Sequence, residues 1–214
     1  MGNIWNFLKF GGPMTIPLLI ASICSLAVII EKLIFFARNK NKSFRLIKQI
    51  EMLVEEGDII GALNKLKGKK GPNAKLLSTA LSHHSDDPER IKEVLQVVGE
   101  DEIKKMEKHL PILDVVAMIA PLLGLLGTVL GIIGAFEFLD AATISAANPA
   151  EISGNIASAL ISTALGLIIA IPTAIFYSYF TNKVEKMAHE MNLSMLDIMD
   201  VVTDRREEDV QTFS

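Results

Sequence analysis

A single cysteine, Cys24, means that no disulfide can close within this chain. It is expected to pack as a small apolar residue. The basic residues gather in no single stripe and the net charge is −4, which excludes a nucleic-acid surface. No glycine-rich loop followed by Lys and Ser/Thr is present, so direct use of ATP is disfavoured. His83 and His84 are adjacent, point to different sides of a helix and have no cysteine nearby, so no metal site is expected. No nucleophile lies beside a base, which argues against an enzyme, and no cofactor is expected. The most informative absence is of charge. None occurs from Val115 to Phe136, and none from Ile152 to Asn182. A helix of either length can cross a bilayer.

The stretch Pro121-Leu-Leu-Gly-Leu-Leu-Gly-Thr128-Val-Leu-Gly131-Ile-Ile-Gly134 dominates the first of these runs. Gly124, Gly127, Gly131 and Gly134 step by three and four, so they share one helix face. Glycine there costs helix propensity. In lipid it lets a second helix approach closely. Thr128 is the one hydroxyl in the run and lies on the same side. Pro121 removes a backbone hydrogen bond and can kink the helix.

The chain reads as all-α with three membrane spans. Residues 1–12 form an interfacial segment with Trp5, Phe7, Lys9 and Phe10. Residues 13–37 form a retained first span with no convincing cleavage site after it. Glu31 and Lys32 near its end are expected to reach the water interface or pair with other helices. Residues 38–110 form a polar helical insert, which opens on the basic cluster Arg38 to Lys42. By the positive-inside rule that end is cytoplasmic and the amino terminus lies outside.

Within the insert, an amphipathic helix over Ser43 to Glu56 ends at Gly57-Asp58, which also starts Ile59 to Leu66. A turn over Gly68 to Pro72 precedes a helix from Asn73 to His83. A fourth helix, Glu89 to about Leu110, is expected to run on into the second span, residues 111–139. An acidic outer loop, 140–151, leads to the third span, 152–182, whose 31 residues would reach ~46 Å as a straight helix.

That third span is unusually polar. Ser158, Ser162, Gly166 and Ala170 step by four, Asn155 and Thr163 add hydrogen-bonding groups, and Pro172 loosens the cytoplasmic half. Polar groups avoid lipid and face a bundle or a wet pore. Residues 183–214 form a helical tail with Val184, Met187, Met191, Met195, Ile198 and Val202 at helical spacing, and a frayed end.

Two stretches carry a resemblance to the MotA/TolQ/ExbB proton-channel family, closest to its ExbB and TolQ members. They are Ala120-Pro-Leu-Leu-Gly-Leu-Leu-Gly-Thr-Val-Leu-Gly-Ile132 and Ala159-Leu-Ile-Ser-Thr-Ala-Leu-Gly-Leu167, followed by Ala170-Ile-Pro172. Glu31, Gly57-Asp58 and Ala62 also resemble the family. The resemblance implies a multi-pass protein of the bacterial inner membrane, assembled as a pentamer around a pore lined by the second and third spans. Two helices of a single-span ExbD/TolR-like partner would occupy the pore and supply an ion-carrying aspartate. Thr128 and Thr163 would face that partner, with Ser162, Ser158 and Asn155 along the ion path. Gly124, Gly127, Gly131, Gly134, Gly166, Pro121 and Pro172 would shape the packing. Motion would pass to a TonB/TolA-like periplasm-spanning effector.

Many ExbB proteins carry glutamate where this chain has Ser158, so the position is neutral here and both H+ and Na+ are open as the ion. A four-span MotA is disfavoured by the three apolar blocks. The alternatives are a self-contained channel or transporter, which should carry titratable groups in its own spans and inverted repeats, and a membrane scaffold whose glycines are purely structural.

Overall fold

In a computed structural model, the structure describes residues 13–39, 48–50, 52–54, 56–69, 71–84, 86–141 and 149–212. Its helices are α1 Thr15–Asn39, α2 Ile59–Leu66, α3 Pro72–Ser82, α4 Pro88–Glu107, α5 Leu110–Ala141 and α6 Pro149–Thr212. Among the described residues there is no strand. Three helices are long and apolar enough to cross a membrane. The amino-terminal interfacial segment, most of the basic cluster and most of the outer loop lie outside the described residues. The chain divides into two compact units.

The first unit comprises Met1–Lys32 and His109–Phe180. Its centre mixes alanines with a few larger apolar side chains, Leu123, Leu165 and Ile169 packing around it. Leu18 and Ala21 of α1, Val116 and Ala120 of α5, and Ala170 of α6 form its apolar cluster. Other large apolar residues point outward: Ile20, Ile23, Leu122, Leu125, Ile168 and Ile171 are all exposed. A soluble core would be the reverse. Lipid offers no hydrophobic gain for bringing leucines together, so association relies on close backbone approach and hydrogen bonds. Cys24 falls on the outward side of α1, not in the packed interior. Small size did not draw it inward, because in this environment an apolar residue loses nothing by facing out.

The second unit comprises Leu33–Lys108 and Thr181–Ser214. Here the arrangement is that of a soluble bundle. Ile50, Val54, Leu76, Leu77, Leu81 and Leu95 are buried, together with Val184, Met191 and Ile198 of the α6 extension. Gly99 of α4 sits where an added Cβ would meet Met195 Sδ at 3.7 Å and Leu76 at 3.9 Å, so α3, α4 and the tail converge there.

Gly57-Asp58 does both jobs expected of it. Gly57 adopts φ 82. Its N–H donates to Val54 at 3.0 Å and the Asp58 N–H to Leu53 at 2.9 Å, a paired closure of the preceding helix. Asp58 Oδ1 then accepts from the Gly61 N–H at 2.8 Å and caps α2. Replacing Asp58 with Ala should cost about 1 kcal/mol, read as a lowered unfolding midpoint with unchanged helix content at low temperature.

Two expectations need correction. α4 does not run into α5. It stops at Glu107, and His109 takes φ 70 before α5 begins at Leu110. The cause is Pro111: its missing N–H cannot bond the Glu107 carbonyl, so the helical ladder is cut at that point. At the other end, α6 remains helical through Thr212, whereas the charged terminus was expected to fray. The glutamates and arginines there are good helix formers and continue a helix already nucleated upstream.

Candidate functional site

The seam between α5 and α6 brings together Thr128, Asn155, Ser158, Ser162 and Thr163. The two helices run antiparallel, and their small residues meet in order. A Cβ on Gly124 would lie 3.0 Å from both the Ser162 carbonyl and Thr163 Cα. One on Gly127 would lie 2.5 Å from Ser162 Cβ, and one on Gly131 would lie 2.7 Å from Ala159 Cβ. Seen from α6, a Cβ on Gly166 would sit 2.6 Å from the Ala120 carbonyl. Gly134 is different: its nearest neighbour would be Asn155 Nδ2, at 3.8 Å. The glycine strip of α5 is therefore spent on α6 of the same chain, and Gly134 marks where the helices begin to separate.

The hydroxyls decorate this seam. Thr163, half-buried, donates from Oγ1 across the seam to the Gly124 carbonyl at 3.0 Å. Thr128, also half-buried, donates to the Leu125 carbonyl of its own helix at 2.6 Å. The two threonines thus anchor on consecutive carbonyls of α5. Ser162 is buried and donates to the Ser158 carbonyl at 3.0 Å, while Ser158 and Asn155 are half-buried. α5 continues through Pro121 and α6 through Pro172 without a break in either helix. Asp114 and Glu137 of α5 are exposed. No group of three or more metal-ligating side chains occurs among the described residues.

Glu31 pairs with another helix, one of the two outcomes expected of it, through a partner that the sequence did not name. His109 Nδ1 lies 2.9 Å from Glu31 Oε2 and 3.1 Å from Oε1. It ties the end of α1 to the start of α5. Lys32, the next residue, was expected to reach the water interface or pair with another helix, and it is buried, at 2% exposure. Adjacent helix positions lie about 100° apart, so Glu31 facing the rim turns Lys32 inward. The usable signal was Pro111, which breaks the helix beside a histidine that the periodicity alone had placed mid-helix.

In the second unit, Lys105 lies within salt-bridge distance of Asp101 at 2.6 Å and Glu102 at 2.7 Å. Hydrogen bonds that its ammonium donates to Asp101 first, then Glu102, hold it above the usual lysine range. It is a solvated surface cluster, away from the seam on the chain.

These features define a multi-pass helical membrane protein whose spans meet through glycine and hydroxyl residues. The model of the MotA/TolQ/ExbB proton channel family matches residues 68–193, which include the whole seam, and the chain belongs to that family. It is 31% identical over 171 residues to an ExbB-like biopolymer transport protein of Synechocystis sp., covering 79% of this chain and 81% of that one. It is 39% identical over 105 residues to the Tol-Pal system protein TolQ of Pseudomonas aeruginosa, covering 47% and 45%. Against the biopolymer transport protein ExbB of Aquifex aeolicus the identity is 46% over 83 residues, covering 39% and 55%. The chain therefore falls on the ExbB/TolQ side of a proton-channel family, and that family is not one of enzymes.

Proposed function

We propose that this chain is the stator subunit of an ion-driven inner-membrane motor, assembled as a pentamer around the spans of a single-span ExbD/TolR-like partner. The amino terminus faces the periplasm and the long tail of α6 the cytoplasm. Ions cross along the face where Thr128 and Thr163 emerge from the α5–α6 seam. The observation that carries this reading is that pair of hydroxyls, anchored on adjacent carbonyls of a tightly closed seam within the family-matched region. A closed seam keeps α5 and α6 together as a single wall, so that a partner helix meets a surface and not a gap.

The chain itself brings no ionisable carboxylate between Ile152 and Asn182, and Ser158 is neutral. The titrating carboxylate is therefore the partner's. The transmembrane potential supplies ~2.3 kcal/mol per charge per 100 mV, enough to bias rotation of the partner helices, and that motion is passed to a TonB/TolA-like periplasmic effector. The ion is H+ or Na+. No cofactor takes part.

The test is co-expression with the single-span product of a neighbouring gene, followed by purification and subunit counting by native mass spectrometry. Five copies of this chain with the partner are expected. A stable monomer that never retains such a partner would overturn the reading.

A further inference from the structure

We infer that the lysine-rich turn between α2 and α3 docks on anionic phospholipid headgroups of the bilayer that the chain crosses. Between Asp58 and Asp86 the sequence carries Lys65, Lys67, Lys69, Lys70 and Lys75 and no Asp or Glu. In a chain whose net charge is −4, that is a local excess of positive charge confined to one turn and its flanks. Lys65, Lys67, Lys69 and Lys75 are exposed. None of these four forms an ion pair among the described residues.

The turn has a definite place within the second unit. Gly68 and Gly71 take φ 79 and 132 and reverse the chain. The Lys67 N–H donates to Leu63 at 3.0 Å and the Lys69 N–H to Leu66 at 2.9 Å. α3 packs on both α2 and α4. Residues 83–87 are a short connection, so α3 and α4 run antiparallel. Leu76 lies level with Gly99. Pro72, four residues before Leu76, is then level with Ile103, four residues past Gly99. That level is ~6 Å short of the end of α4 at Glu107. From this end of the unit the chain passes into α5 at Leu110, so it is the end nearest the bilayer. Charges act over a Debye length, about 8 Å at physiological ionic strength. The turn is within that reach.

The carboxylates at the same level are already engaged. Asp101 and Glu102 lie within salt-bridge distance of Lys105. Gln96 Nε2 donates to Glu100 at 3.2 Å. Glu107 stands between Lys104 and Lys108 in the sequence. α4 therefore satisfies its own acids and leaves the turn to find its counter-charge elsewhere. Anionic headgroups supply it, since each lysine held near such a surface adds to the attraction. Lysine is a flexible, hydrated point charge. It suits a diffuse layer of phosphates better than one shaped anion.

Hydrogen exchange of the full chain in nanodiscs tests the docking, with the Lys67 and Lys69 amides as reporters. In discs of phosphatidylcholine with about 30% phosphatidylglycerol, their protection at low salt should exceed that in phosphatidylcholine alone about threefold. The excess should vanish in about 0.5 M salt. Lys67→Gln combined with Lys69→Gln should remove it. Lys92→Gln, which changes an exposed lysine near the other end of α4, should keep it. Inorganic phosphate added to phosphatidylcholine discs should not reproduce it. The lower pH at an anionic surface also slows exchange, but without these two lysines it would persist, so the double variant separates the causes. Equal protection in the two lipids is the result expected if an acidic protein segment covers the turn instead, and it would overturn the proposal. So would an excess that survives salt or the double variant, its loss in Lys92→Gln, or its reproduction by phosphate. The measurement needs the spanning helices and no partner, so failure of the stator reading would leave it unaffected.

Discussion

Thr163→Val is expected to abolish ion-driven work while leaving the chain folded and able to assemble. Valine matches threonine in shape, so the seam keeps its packing. What is lost is the hydroxyl, and with it the 3.0 Å bond to the Gly124 carbonyl. An interhelical hydrogen bond in a membrane is worth about 0.6 kcal/mol on average, too little to unfold the chain. An ion path that needs that oxygen should fall at least tenfold in flux, about 1.4 kcal/mol of barrier. Thr128→Val removes a hydroxyl bonded only within its own helix. It should cost even less stability and a comparable share of flux. Thr163→Ser restores the oxygen and should recover most of the flux. Flux through the reconstituted complex, with subunit stoichiometry measured in parallel, checks all three. Full flux in both valine variants would remove these residues from the path.

Gly166→Ala is expected to be strongly damaging to the first unit. The new Cβ would sit 2.6 Å from the Ala120 carbonyl, with the Gly124 backbone at 3.2 Å. Backbone cannot rotate aside as a side chain can, so α5 and α6 must move apart. Overpacking of that kind costs about 1–3 kcal/mol, and the separation also stretches the Thr163–Gly124 bond. Gly131→Ala meets Ala159 Cβ at 2.7 Å and should behave similarly. Gly134→Ala is the control. Its nearest neighbour is a side-chain amide at 3.8 Å, so it should be neutral or gain up to about 1 kcal/mol from helix propensity. Thermal unfolding in detergent orders the series. Equal losses at Gly134 and Gly166 would contradict the packing described.

The glycine spacing in α5 was readable as a packing face because a 3.6-residue period leaves no other interpretation of Gly124, Gly127 and Gly131. What it would pack against was not readable. The glycines were expected to let a second helix approach, and that helix is α6 of the same chain. Periodicity identifies a face and carries no information about the facing surface. The same limit explains Cys24 and Lys32: burial on a helix depends on which neighbour arrives, and in lipid that is not decided by polarity alone.

From its sequence this protein was determined to be helical, to cross the membrane with three apolar blocks, and to turn at Gly57-Asp58. Each of these follows from local composition, because charge-free length, glycine φ freedom and capping carboxylates act within a few residues. Only the tertiary structure decided that Thr163 reaches Gly124, that Gly134 is slack where Gly166 is tight, and that Glu31 meets His109. Those contacts join residues far apart along the chain, and the register of antiparallel helices, which brings them together, is set by the fit of many side chains at once.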